Sequence, residues 1–183
     1  TIPSGVLITA EPGGPLLQRT VDTAVLFSNT SGANVNCTGV TIQAIVDDAL
    51  GYGIDIQNAD DVHIEGCHTL GFGGAGIRTI NCRRTYEVLN IIDGAGSDTV
   101  SDPGVSSTRI GIYNAMMEDG QAHAHIAFND ISNVMIGLLH ASPSATIIGN
   151  SIHDIADSQF SQHCMYVGGE NMTIASNIVR NFR

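Results

Sequence analysis

The sequence predicts an all-β solenoid, a coil of short strands laid in parallel, and three observations point there. The composition is that of strands and turns: of 183 residues 43% are hydrophobic, 14% are charged and 21 are glycine. β-Branched residues come in short runs, and no stretch is rich in the Glu, Lys, Arg and Leu that support helices. A six-residue unit recurs along the chain, and a glycine-led strand precedes most of its copies at a similar distance.

The unit reads VTIQAI from Val40, VHIEGC from Val62, TYEVLN from Thr85, AHIAFN from Ala124, ATIIGN from Ala145 and MTIASN from Met172. Its third position holds Ile42, Ile64, Glu87, Ile126, Ile147 and Ile174, at spacings of 22, 23, 39, 21 and 27 residues. A base period of 21–23 therefore carries two insertions, over residues 93–109 and 156–163. The preceding strand is GIDIQ at Gly53, GIRTI at Gly76, GIYNA at Gly111, GLLHA at Gly137 and CMYVG at Cys164. A third segment follows, as in IIDGA, DISNV, SIHDI and NIVRNF. Turns of two to four residues cannot close a hairpin at each of these junctions, so each period is expected to be one rung, with equivalent residues stacked about 4.8 Å apart. Asn90, Asn129, Asn150 and Asn177 then form a ladder at one corner. The first two units depart from it, with Ile45 and Cys67 in the asparagine position.

These features resemble the right-handed parallel β-helix of the pectate-lyase-like family over roughly residues 24–183. The resemblance implies a single-stranded right-handed β-helix of six to seven rungs, read here as one domain over 1–183 and as a fragment of a longer chain, because both ends look like strand sequence cut in mid-pattern. It also implies that the glycine-led strands are the first sheet and the TI strands the second. A substrate groove would then run along the outside of the first sheet, on an extracellular or cell-surface protein acting on a polysaccharide.

Alternation projects Ile54, Ile77, Ile112, Leu138 and Met165 inward and Asp55, Arg78, Tyr113, Leu139 and Tyr166 outward. Gly53, Gly76, Gly111 and Gly137 would leave a floor without side chains, or simply permit a sharp bend. For β-elimination or epimerisation of a uronic acid, a cation must neutralise the carboxylate while other groups move protons. Arg78 and Arg109 are candidates for the first role, and Tyr113, Tyr166 and His163 for the second. Asp55, Arg83 and Arg84 are candidate substrate contacts. A glycoside hydrolase would instead need two carboxyls at a set separation, with Asp55, Asp98, Asp102, Asp154 and Asp157 available and no pair singled out by the pattern.

The chain has no Lys, seven Arg and a net charge of −11, which argues against nucleic acid and weighs against other extended polyanions. No 18-residue apolar run marks a membrane span. No cofactor is required; acidic turns such as NADD are of the kind that hold Ca²⁺, a hard ion wanting six or more oxygens, and the sequence does not assemble such a set. His123 and His125 share a strand face near Glu118 and Asp119, but solvated histidines are commoner than metal ligands there. His140 falls at an inward position and is expected to be a hydrogen-bonded core residue. Cys37, Cys67, Cys82 and Cys164 lack C-x-x-C spacing. With Cys37 and Cys82 at equivalent places in rungs two apart, and Cys67 and Cys164 at different corners, four free and mostly buried thiols are expected. Asn29, Asn36 and Asn171 match the N-x-S/T pattern. An outward second-sheet row of Thr41, His63, Tyr86, His125, Thr146 and Thr173 is too irregular to bind ice. The alternative to a lyase, epimerase or hydrolase is a non-enzymatic β-solenoid, a filament subunit, tailspike shaft or adhesin, able to self-associate end to end through terminal rungs.

Overall fold

The computed structural model describes residues 7–9, 16–19, 27–29, 32–44, 51–94, 110–115, 123–155 and 163–182. Every regular element among them is a strand. After β1 (Leu7–Thr9) and β2 (Leu16–Arg19) come six rungs of three strands each. The rungs are β3 (Phe27–Asn29), β4 (Gly32–Thr38) and β5 (Thr41–Ala44); β6 (Tyr52–Gln57), β7 (Ala59–Glu65) and β8 (His68–Leu70); β9 (Ala75–Ile80), β10 (Arg84–Val88) and β11 (Ile91–Asp93). They continue as β12 (Ile110–Ala115), β13 (His123–Ala127) and β14 (Asp130–Ser132); β15 (Ile136–Ala141), β16 (Ser144–Ile148) and β17 (Ser151–Ile155); β18 (His163–Gly168), β19 (Asn171–Ala175) and β20 (Ile178–Phe182). The first strands of the rungs build sheet 1, the second strands sheet 2 and the third strands sheet 3, with six, seven and seven members. All pairings are parallel, and the molecule is a right-handed parallel β-helix with an asparagine ladder.

The interior is built of stacked columns. In sheet 1, Ile54, Ile77, Ile112 and Leu138 lie in register and are fully buried. Ile64, Ile126 and Ile147 do the same in sheet 2, and Ile92, Ile131 and Ile152 in sheet 3. Stacking like on like works here because β-branched side chains have one preferred rotamer on a pleated surface, so each covers its counterpart in the next rung.

The corner between sheets 2 and 3 takes two residues. The first has a left-handed backbone in every rung: Gly39, Gly66, Leu89, Phe128, Gly149 and Ser176. The second is the ladder residue. Asn90 Nδ2 donates to the Ile64 carbonyl at 3.1 Å and to Asn129 Oδ1 at 3.0 Å. Asn129 and Asn150 repeat this one rung further on, while each Oδ1 accepts the backbone N–H of the preceding ladder residue. The asparagines are thus chosen for their paired donor and acceptor, and the left-handed backbone belongs to the residue before each of them. At Gly149 a side chain would strike the ring of Phe128, 2.6 Å from an added Cβ, which is why the corner reads Gly-Asn there.

Four expectations from the sequence are corrected by the register. VTIQAI is a third-sheet segment, since Ile42 pairs with Thr69; the second-sheet strand of that rung is β4, where Cys37 pairs with Ile64. The residue that precedes Cys67 at the ladder corner is therefore Val40, not Ile45. The outward second-sheet position of that rung is held by Asn36, not Thr41. Cys37 and Cys82 do not occupy equivalent places, because Cys82 sits on the corner after β9. In this structure the four cysteines are thiols, three buried and Cys164 partly so.

The glycine column is not a groove floor. Gly53, Gly76, Gly111 and Gly137 are buried where sheet 1 turns inward against sheet 3. A Cβ on Gly137 would lie 2.5 Å from both the Cys164 carbonyl oxygen and Ile152 Cγ2. The residue type is demanded by closeness to the next rung and to the opposite sheet.

Removing a central ladder side chain should cost more than removing the last one. Asn129→Ala strands the buried Glu87 carbonyl and the Asn90 N–H, and is expected to lower unfolding free energy by about 3 kcal/mol, whereas Asn177→Ala, half-exposed, should cost clearly less. Equal losses in urea denaturation would count against the ladder as a cooperative column.

Candidate functional site

Outside sheet 1 the described strands present two parallel rows. One runs Tyr52, Ala75, Ile110, Ile136 and His163; the other runs Asp55, Arg78, Tyr113, Leu139 and Tyr166, as alternation placed it. Ala75, Ile110 and Ile136 form a small apolar cluster, with Tyr52, Tyr113 and Leu139 packed against it. Tyr166 stands 57% exposed at the far end of its row. Its ring centroid is 5.5 Å from that of His163.

The candidate residues do not converge on one point. Arg78 and Tyr113 are register neighbours, and Asp55 is the neighbour on the other side. Tyr166 and His163 lie two rungs beyond Tyr113, with Leu139 between. Arg84 faces out from sheet 2 and Arg83 occupies the corner before it, so neither shares the first-sheet face. Arg109, Asp98, Asp102, Asp157 and most of both insertions, including residues 95–109 and 156–162, lie outside the described residues.

Three of the candidate arginines already have partners. Arg78 donates from Nε and Nη2 to the two oxygens of Asp55, at 2.8 and 2.7 Å, and its guanidinium carbon sits 3.8 Å over the Tyr52 ring. Gln57 Nε2 donates to the same carboxylate at 2.8 Å. Asp55 is only 3% exposed. Arg83 clasps Asp60 and Arg84 clasps Asp61 in the same bidentate way, and each arginine holds its aspartate well below the usual carboxylate range. Every one of these pairs spans 23 residues, one rung. The same clasps occupy the carboxylates of the NADD turn. Among the described residues no group of three or more His, Cys, Asp or Glu is placed to hold a metal ion.

Several polar features were not anticipated as a group. Under sheet 1, Glu87 is fully buried; its Oε1 accepts from Thr79 Oγ1 at 2.6 Å and Asn114 Nδ2 at 3.1 Å. Asn114 also donates to Thr79 and Thr85 at 2.8 and 2.9 Å. His140, the register neighbour of Asn114, is buried as expected, yet neither ring nitrogen has a hydrogen-bond partner among the described residues. Burial lowers its pKa, with the Ser142 backbone opposing. The signal was present in the sequence: Glu87 interrupts a column of isoleucines, and Thr79, Asn114 and His140 follow Ile56 in another. On sheet 2, His63, Tyr86 and His125 form a ring row with centroids 5.8 and 6.1 Å apart, and His123 Nδ1 lies 3.0 Å from Ser144 Oγ. On sheet 3, His153 bridges Asp154 at 2.7 Å and Asp130 at 3.0 Å, contacts that raise its pKa. Asp154, within β17, has a left-handed backbone.

Compared with models of known protein families, with curated proteins and with solved structures, the chain matches none.

Two outcomes check this electrostatic picture. Arg78→Met leaves the buried Asp55 carboxylate without its cation and should destabilise the fold by about 3 kcal/mol, while Arg84→Met, at a solvated pair, should leave the urea midpoint almost unchanged; comparable losses would refute the distinction. Burial raises the Glu87 pKa above its ordinary 4.5, with Thr79 and Asn114 opposing. The folded state thus holds this proton more tightly than the unfolded chain does. The resulting stability is full below the unfolded pKa and is lost as pH rises through the folded one. The midpoint of Glu87→Gln relative to the parent should therefore rise as pH increases above the ordinary carboxylate range, and a difference independent of pH would sink the assignment.

Proposed function

We propose that this chain is a carbohydrate-binding β-helix segment of the pectate-lyase-like type, which engages an extracellular polysaccharide along the outer face of sheet 1. The observation that carries the reading is the outward row through Tyr113 and Tyr166, flanked by Tyr52 and His163 and backed by the apolar cluster of Ala75, Ile110 and Ile136. Ring faces two rungs apart suit the apolar faces of sugar residues along a chain, which stack on aromatic side chains while their hydroxyls remain solvated.

The charge arrangement narrows the ligand class. Arg78 is the one described arginine on this face, and Asp55 matches it; with a net charge of −11, a neutral glycan is favoured over a uronate or sulfated one. Chemistry on the bound chain, by lyase, epimerase or hydrolase action, belongs to this reading as its catalytic form, with Tyr113, Tyr166 and His163 the groups able to move protons. A second reading is a stiff, non-enzymatic rod. It is favoured by the continuous ladder and by the clasps between rungs, and it would use Ile174, Ile178 and Val179, exposed on the last described rung, to carry a further rung.

Affinity electrophoresis on neutral, uronic and sulfated polysaccharides, with parallel assays for unsaturated ends and reducing sugar, separates these readings. Retardation by a neutral glycan, weakened roughly tenfold by Tyr166→Ala and unaffected by His125→Ala on sheet 2, is the expected result. No retardation by any glycan, together with concentration-dependent filaments in sedimentation, would replace it with the rod.

A further inference from the structure

We propose that Cys37 and Cys67 form a disulfide that seals the lower end of the asparagine ladder. The two sulfurs lie 3.5 Å apart on adjacent rungs, and both residues are 1% exposed or less.

Cys67 holds the ladder position of its rung. Its N–H donates to Asn90 Oδ1 at 2.9 Å, as the N–H groups of Asn90 and Asn129 donate to the next asparagine. Its sulfur stands where the amide nitrogen would stand: Sγ is 3.4 Å from the Cys37 carbonyl, just as Asn90 Nδ2 is 3.1 Å from the carbonyl of Ile64, the register partner of Cys37. The column that carries Ile64, Glu87, Ile126 and Ile147 in the other rungs carries a cysteine in this rung alone among these. Two departures from the repeat, one in the isoleucine column and one in the asparagine column, therefore meet at a single point. A second amide would have continued the ladder; a second thiol allows a covalent stop.

The sulfurs already stand 3.5 Å apart, and reaching the bonded distance of about 2.0 Å asks for rotation of two short side chains at the corner between sheets 2 and 3. The exchange that joins them starts at one of the two thiols, for example Cys67. Its thiolate attacks one sulfur of an external disulfide of the glutathione class and expels one thiolate. Cys37 then loses its proton and attacks the Cys67 sulfur of the mixed disulfide, expelling the second thiol. Two protein thiols are oxidised and one external disulfide is reduced to two thiols. Because both sulfurs are buried in the folded coil, the exchange takes place before the first rung closes over the corner.

The other two cysteines serve as internal controls. Cys82 Sγ lies against the Ile56 and Ile80 carbonyls, at 3.6 and 3.4 Å, and burial pushes its thiol up to about 12. Cys164 is partly exposed at the opposite end of the described coil.

The test is a thiol count on the full chain, refolded in a mixture of oxidised and reduced glutathione, then denatured without reductant and alkylated with N-ethylmaleimide. Of the four cysteines, only Cys82 and Cys164 should be alkylated, and proteolysis should give one linked peptide joining the Cys37 and Cys67 segments that separates on reduction. Alkylation of all four thiols overturns the proposal, and so does a linkage that includes Cys82 or Cys164. Urea unfolding of the same two preparations gives a second readout: the oxidised chain should unfold at higher urea than the reduced chain, and an unchanged or lower midpoint would show that the crosslink does not belong to the folded corner.

Discussion

Everything in this molecule depends on one vertical constraint: a residue must fit directly on its counterpart about 4.8 Å away in the next rung. Backbone hydrogen bonds satisfy that constraint along the strands, where amides and carbonyls pair between rungs. At the corners the backbone cannot pair with itself in the same way, and a buried polar group left alone is costly. The asparagine side chain resolves this at the corner between sheets 2 and 3, joining a carbonyl below to an amide oxygen above. With that corner fixed, the isoleucine columns are held in register and the outward rows on each sheet follow.

The same constraint explains which parts of the structure could be read from the sequence. A column of like residues leaves a periodic trace, so Ile64, Ile126 and Ile147, the ladder asparagines and the outward row from Asp55 to Tyr166 were all legible. The first rung was misread because its TI motif lies on the third strand, and a repeat aligned by pattern alone cannot distinguish two strands with the same inside-outside alternation. Alternation also put the glycines outside, since it assumes a regular pleat; the real chain turns there, and room beside Ile131 and Ile152 decides the residue. Pairing between rungs left a weaker trace. That Arg78, Arg83 and Arg84 meet Asp55, Asp60 and Asp61 is visible as a shared offset once the period is known, yet taken singly each arginine looks like a free cation.

This last point reshapes the functional face. A parallel coil offers many exposed side chains at regular intervals, and any of them can look like a binding group in projection. Those bound to the next rung have already given up much of their capacity to meet a ligand. On sheet 1 this separates Arg78, which is held by Asp55 and Tyr52, from Tyr166, whose ring remains open to solvent.

The three arginine clasps lie at a single junction, between the second and third rungs. A solenoid behaves mechanically like springs joined in series, each unit coupled only to its neighbours. Its response to a load therefore depends on how coupling is distributed as well as on the total. Among the described residues the arginine–aspartate part of the coupling is gathered into this one seam, and His153 with Asp130 adds an ion-pair contact between the fourth and fifth rungs. Salt screens the solvated members of that seam, so a change of medium alters the grip between two neighbouring rungs while leaving the asparagine corner and the isoleucine columns untouched.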